Sequence, residues 1–132
     1  MATIKDFEEL KIWQMARELC KDVCRITRYE QFSKDFKLKD QIKGSSGSAM
    51  DNIAEGFERS GNKEFSQFLT IAKGSSGETR SQLCRSFDYG YIEEKEFEEL
   101  WQKAKNLSQS IGAFITYLNQ SDMKGPKYKN RV

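Results

Sequence analysis

A chain of 132 residues with 37% hydrophobic and 12% aromatic side chains has the length of one domain and enough apolar surface to bury a core. No run approaches the ~20 apolar residues that span a bilayer. The chain has no histidine, which excludes the Glu-x-x-His metal pairs found in some helical bundles. Val, Ile and Thr are sparse beside Leu, Glu, Lys, Gln and Phe, and the one proline is Pro126. Long uninterrupted helices are therefore favoured over sheet.

The opening Met1-Ala2-Thr3-Ile4-Lys5-Asp6 has no apolar signal-peptide stretch, so a cytoplasmic protein is expected. The first helix is predicted over residues 7–29. Ile12, Ala16, Leu19, Val23 and Ile26 step by four and three, with Trp13, Cys20 and Cys24 widening the stripe,. Asp6 and Glu9 have the spacing of a capping box. Cys20 and Cys24 share a helical face, but two thiols without histidine fall short of a zinc site. Burial in the core is expected for the cysteines.

A second helix is predicted over 37–58, from Leu38, Ile42, Ala49, Ile53 and Phe57. A third, over 62–89, carries Phe65, Phe68, Leu69, Ala72, Leu83 and Phe87 on one face, with Gly90 as its stop,. The fourth, over 93–121, has the cleanest stripe: Phe97, Leu100, Ala104, Leu107, Ile111, Phe114 and Leu118. Glu93, Glu94 and Glu96 suit its first turn through the helix dipole. Short connections force antiparallel neighbours. The expected fold is all-α, an antiparallel up-down-up-down four-helix bundle over residues 1–121 with a basic tail over 122–132.

One pentapeptide occurs twice, as Lys43-Gly44-Ser45-Ser46-Gly47 and Lys73-Gly74-Ser75-Ser76-Gly77. A linker reading would cut two helices in mid-pattern, so both copies are expected to be helical. A hairpin centred on Ser60 would set them face to face, ~22 Å along the axis from the turn at ~1.5 Å per residue. Small residues would then let the backbones approach, with hydroxyls bonding back to carbonyls one turn earlier.

Charge is unevenly distributed. Residues 1–122 carry 18 basic and 20 acidic side chains, whereas Lys124, Lys127, Lys129 and Arg131 have no acidic neighbour within residues 123–132. Lys34, Lys37, Lys39 and Lys43 cluster near the start of the second helix, interrupted by Asp35 and Asp40. If Lys37, Lys39, Lys43 and the tail line one face, they can track phosphates; a plain solvated face is the alternative. Asn52, Glu55 and Arg59 stand one turn apart and are expected to form a structural polar cluster at the turn into the third helix. One carboxylate beside an arginine supplies no nucleophile or base with a partner, so no enzyme is expected.

The stretch Asn52-Ile53-Ala54-Glu55-Gly56-Phe57-Glu58-Arg59 is followed by Lys63-Glu64-Phe65, and later by Gln82-Leu83 and Gly90-Tyr91-Ile92. Over about residues 7–120 this pattern resembles the bacterial 23S rRNA-intervening-sequence proteins. The resemblance implies a four-helix bundle that assembles as a ring-like pentamer, without enzymatic activity or cofactor. Some members are encoded within insertions in large-subunit ribosomal RNA genes. A similar protein is the accessory factor of diversity-generating retroelements, which works with a reverse transcriptase and nucleic acid. The implied partners are further copies of the chain and RNA or DNA. A protein scaffold, or a bundle with a small-molecule site, is the alternative.

Overall fold

A computed structural model of the chain describes residues 3–121. The basic tail over 122–132 lies outside the described residues. Among those described, every regular element is helical: a 3-10 turn Phe7–Glu9, α1 Lys11–Ile26, α2 Glu30–Lys34, α3 Phe36–Glu58, α4 Asn62–Asp88 and α5 Glu94–Ser121. No helix among them is long and apolar enough to cross a membrane.

The first helix is shorter than its stripe suggests. Glu9 does accept the Asp6 N–H at 2.9 Å, but this caps the 3-10 turn rather than α1. Leu10 is extended, with φ −71° and ψ 128°, and fully buried beside a buried Ile4. At the other end, Thr27 Oγ1 donates to the carbonyls of Val23 at 2.9 Å and Cys24 at 3.1 Å, and the helix stops at Ile26. The connection that follows folds into α2 because Phe32 is drawn fully into the core.

The third predicted helix ends as expected. Gly90 has φ +83°, a conformation glycine adopts without a Cβ penalty. Gly90 N–H bonds the Phe87 carbonyl and Tyr91 N–H the Ser86 carbonyl, each at 2.9 Å, a Schellman stop. Gly56 answers a different need: a Cβ there would meet Phe68 Cβ at 2.8 Å and Phe65 Cδ1 at 2.9 Å. Glycine at this position lets α3 and α4 close just before their turn.

The helices share one core. α3 packs on α4, α4 on α5, and α1 on both α3 and α5. Val23, Ile26, Ile42, Ile53, Phe65, Leu69, Leu83 and Leu107 are fully buried within it. Asp22, also buried, accepts from Arg25 at 2.7 Å and Lys103 at 2.8 Å. Arg25 reaches on to Glu96 at 2.9 Å, so α1 and α5 are clamped by charge as well as by apolar contact. These carboxylates push the Arg25 guanidinium pKa further up.

Both pentapeptides are helical, but the register and the facing residues differ from expectation. Ser48 Oγ, not Ser45, lies 2.8 Å from Ser75 Oγ. Ser45 Oγ instead lies 2.8 Å from Thr79 Oγ1 and donates to Gln82 Oε1 at 2.6 Å. This is a shift of three residues, or ~4.5 Å along a helix. The serines face inward: Ser46 back-bonds to the Ile42 carbonyl at 2.9 Å, and Ser76 to Lys73 at 2.8 Å while meeting Ser108 Oγ at 2.6 Å. Together with Thr79, Gln82 and Ser86 they form a buried hydroxyl and amide layer, its hydroxyls satisfied locally as buried polar groups require. The glycines face outward, and a Cβ at Gly44, Gly47, Gly74 or Gly77 would meet nothing within 4 Å. Close approach of α3 and α4 does not depend on them.

Candidate nucleic-acid interface

Asp35 organises the start of α3. Its Oδ1 accepts the Leu38 N–H at 3.0 Å and its Oδ2 the Tyr91 hydroxyl at 2.8 Å. The first contact is an N-cap bond; the second ties α3 to the segment that follows α4. The Leu38 N–H, and then the Tyr91 hydroxyl, hold the Asp35 carboxyl below its ordinary value, with Arg85 and Lys37 adding to the effect. Donation to this carboxylate raises the Tyr91 phenol. The carboxylate therefore stays charged and the phenol stays neutral around pH 7.

This cap leaves the first turn of α3 turned to solvent. Phe36 is 69% exposed. Lys39 Nζ sits 4.9 Å from its ring centroid, within cation–π range, and donates to the Ser33 carbonyl at 3.4 Å. At 100° per residue, Phe36, Lys39 and Lys43 share one face of α3, while Lys37 stands over a third of a turn away, on the flank nearer Gln41. Lys37 and Lys43 are exposed. From α4, Arg85 donates to Gln41 at 3.2 Å and lies 5.7 Å from the ring of Tyr89, which is 52% exposed. Tyr89 meets Tyr91 edge-on at 5.8 Å, and Tyr91 packs on buried Phe32 at 5.0 Å. The lysines proposed from sequence are thus joined by Arg85, Phe36 and Tyr89, none of which was singled out. Lys124, Lys127, Lys129 and Arg131 lie outside the described residues.

Asn52, Glu55 and Arg59 divide between two places. Arg59 pairs with Glu55 at 2.8 Å, approaches Glu64 at 4.0 Å and lies over Phe68 at 4.9 Å. That group spans the α3–α4 turn and raises the Arg59 guanidinium pKa, with Glu55 as the main cause. Asn52 instead donates to the Ser48 carbonyl at 2.8 Å and to Ser48 Oγ at 3.1 Å, at the edge of the hydroxyl layer.

The cysteines are half-buried rather than core residues. Cys20 Sγ donates to the Ser46 carbonyl at 3.2 Å, and burial pushes its thiol up. Among the described residues no group of three or more His, Cys, Asp or Glu is placed to hold a metal ion. A shallow depression of about 720 Å³ beside the start of α5 is lined by Tyr29, Tyr91, Glu93, Glu96 and Glu99 among others. Glu96 there is already engaged by Arg25 and by the Tyr29 hydroxyl at 2.8 Å. Trp13, expected to widen the first stripe, is buried against Phe7 at 5.2 Å, and Trp101 is half-buried between Arg80 and Lys105.

A crystal structure described as a protein with unknown function from the S23 ribosomal protein family of Bacteroides thetaiotaomicron VPI-5482 matches with a TM-score of 0.73 at 21% identity. The match covers 79% of this chain and 97% of that one, and it shows a common fold. No curated protein matches the chain. The family model for 23S rRNA-intervening sequence proteins matches residues 8–113, most of the chain, and this protein belongs to that family.

Proposed function

We propose that this protein is a non-catalytic, homo-oligomeric accessory factor that binds RNA or DNA through its phosphates. The observation that carries the reading is the set of cations spread around the N-terminal half of α3, Lys37, Lys39 and Lys43 with Arg85 of α4 at Gln41, on a helix capped by Asp35. Cations held on a rigid backbone track phosphates without conformational rearrangement. The tail cations Lys124, Lys127, Lys129 and Arg131 add a second, sequence-independent contribution.

The arrangement behind this site is an antiparallel up-down-up-down bundle of α1, α3, α4 and α5. Reciprocal contacts support it: Gln41–Arg85 and Ser48–Ser75 between α3 and α4, Ser66–Asn119 and Ser76–Ser108 between α4 and α5, and Arg25–Glu96 and Asp22–Lys103 between α1 and α5. Kinship with the family supports a homo-pentamer, the apolar-poor N-terminal residues support a cytoplasmic place, and repetition of a weak site five times raises avidity without new contacts,.

Two measurements test this. Light scattering should give five times the 15.3 kDa chain mass, and the monomer mass at micromolar concentration refutes assembly. Labelled RNA and DNA are then titrated at low and moderate salt with the intact protein and with one ending at Ser121. Binding should weaken steeply with salt. If the intact oligomer binds nothing at low salt, the nucleic-acid reading fails and a protein partner replaces it. If both forms bind alike, the tail is irrelevant and the α3–α4 corner carries the contacts.

A further inference from the structure

We propose that the trough between α4 and α5, built around Trp101 and edged by Lys73, Arg80 and Lys105, is a second face that grips the sugar–phosphate backbone of RNA or DNA. This rests on the proposed nucleic-acid function and adds to it a site away from the α3 lysines.

Three cationic side chains from two helices line this trough. Arg80 Cζ of α4 lies 5.4 Å from the Trp101 ring centroid, and Lys105 Nζ of α5 lies 5.1 Å from it. Both are within cation–π range, so two positive charges are gathered at one ring. Lys73 stands two turns before Arg80, ~10 Å along α4. Its stem crosses to α5, because a Cβ at Gly112 would meet Lys73 Cε at 3.2 Å. The Ser76–Ser108 contact at 2.6 Å and the Phe87–Phe97 stack at 4.8 Å fix α4 against α5 on either side of Trp101 along the helices. The cations are therefore carried on a rigid two-helix frame.

These cations lack counter-charges. Among the described residues, none of the three forms an ion pair or donates a side-chain hydrogen bond. Arg25, Arg59 and Lys103, by contrast, are each paired with a carboxylate. The sequence accounts for the difference: every residue three or four positions from Lys73, Arg80 or Lys105 on its own helix is uncharged,. Glu78 lies about 200° around α4 from Arg80, and Glu98 is two turns along α5 from Lys105. Arg80, Trp101 and Lys105 are half-buried. Like charges held close together and partly out of water repel, and an anion bridging them relieves the repulsion. Arg80 keeps its whole fork of N–H donors to offer, which matches a phosphate bidentately.

The surroundings favour a phosphate backbone over a protein segment. A docked peptide is held by large apolar anchors. The exposed large apolar residues of these two helices, Ile71, Tyr89 and Tyr117, stand about half a turn around their helices from Arg80 and Trp101. Between Lys73 and Arg80 the trough presents Gly77 instead, where a Cβ would meet nothing within 4 Å. That open edge lets an extended backbone lie against the helix. Contacts to phosphates carry no sequence information, so the trough binds without choice of base.

The test uses the full chain with oligothymidylate and oligouridylate, whose difference separates DNA from RNA. Affinity is read with labelled strands over a salt series, and Trp101 emission with unlabelled strands in Trp13→Phe, where Trp101 is the only tryptophan. Saturation with either strand should change the Trp101 emission. Arg80→Gln with Lys105→Gln should weaken binding roughly tenfold at low salt and flatten the slope of log K against log salt by roughly 1–1.5. Arg80→Lys with Lys105→Arg keeps both charges and should retain binding. Lys21→Gln with Lys95→Gln removes the same charge elsewhere and should leave the slope unchanged. Circular dichroism checks that each variant is folded. If the parent binds while the Arg80 and Lys105 glutamine pair matches the Lys21 and Lys95 pair, and Trp101 emission stays still, the trough is overturned and the α3 lysines keep the nucleic-acid reading. A parent that binds neither strand at low salt overturns both.

Discussion

Four glycines lie inside α3 and α4 without a local need for glycine: Gly44, Gly47, Gly74 and Gly77. Positive φ among the described residues occurs at Gly61 and Gly90, so these four have ordinary helical backbone. A Cβ added at any of them would meet nothing within 4 Å. Replacement by alanine should then return the helix-propensity difference, ~0.5–1 kcal/mol per site. Gly44→Ala with Gly74→Ala, on different helices, should add to ~1–2 kcal/mol, and the quadruple variant should reach ~2–4 kcal/mol. Gly56→Ala supplies the contrast. Its Cβ would fall 2.8 Å from Phe68 Cβ and 2.9 Å from Phe65 Cδ1, an overpacking cost of ~1–3 kcal/mol that exceeds any gain in propensity. Urea unfolding at one fixed protein concentration reads both effects as midpoint shifts of opposite sign at constant slope. A quadruple variant less stable than the parent refutes the reasoning, because it means that something approaches the bare backbone of α3 and α4.

Ser76→Leu should destabilise by at least ~1–3 kcal/mol, since Ser76 is fully buried and 2.6 Å from Ser108 Oγ,; a variant with an unchanged midpoint in urea excludes a tightly packed layer there. Asp22→Ala should cost ~1–2 kcal/mol, with Arg25 and Lys103 about half exposed and able to rehydrate,; a loss below a few tenths of a kcal/mol means the α1–α5 clamp is cosmetic. Asp35 is held below its ordinary 3.8 when folded, so its contribution to stability is present above 3.8 and is lost as pH falls through the lower folded value. A carbonyl-carbon NMR titration should find that depressed value and see it rise in Tyr91→Phe; a parent titration at or above 3.8 contradicts the cap geometry.

The helical stripes were legible because a 3.6-residue period leaves a repeated mark, and α3, α4 and α5 begin and end within a residue of expectation. Leu10 and Phe32 show where that mark misleads. Both are fully buried, yet Leu10 is reached through extended backbone and Phe32 through a separate short helix. Periodicity records which side chains are inside, and says less about the path that puts them there. Serine is silent on a hydrophobic scale, so the hydroxyl layer could not be read from the stripe. Its orientation could have been. With 100° between residues, adjacent Ser45 and Ser46 straddle the inward direction set by Ile42, Ala49 and Ile53, which puts Gly44 and Gly47 outside. Small size alone had suggested the reverse.

The corner at α3 and α4 was half visible for a related reason. Lys37, Lys39 and Lys43 cluster along the chain, whereas Arg85 and Tyr89 arrive from more than forty residues away, through the hairpin register. Phe36 did carry a signal: two residues before Leu38, it stands about 200° from the buried stripe, on the outer side of the helix. An aromatic placed outward beside lysines has given up burial worth ~1.5–3 kcal/mol, and only its surroundings can say whether that loss is incidental. For Phe36 the surroundings are Lys39 over its ring and open solvent. Arg85 and Tyr89 arrive instead on the flank of α3 that carries Gln41, about 140° around the helix from Phe36,. Shifting the hairpin by the three residues that separate expectation from structure moves Arg85 ~4.5 Å along α3, away from Gln41. The place of Arg85 beside α3 is therefore a property of register, and residues that set the register without touching a ligand should govern which cations α3 and α4 present together.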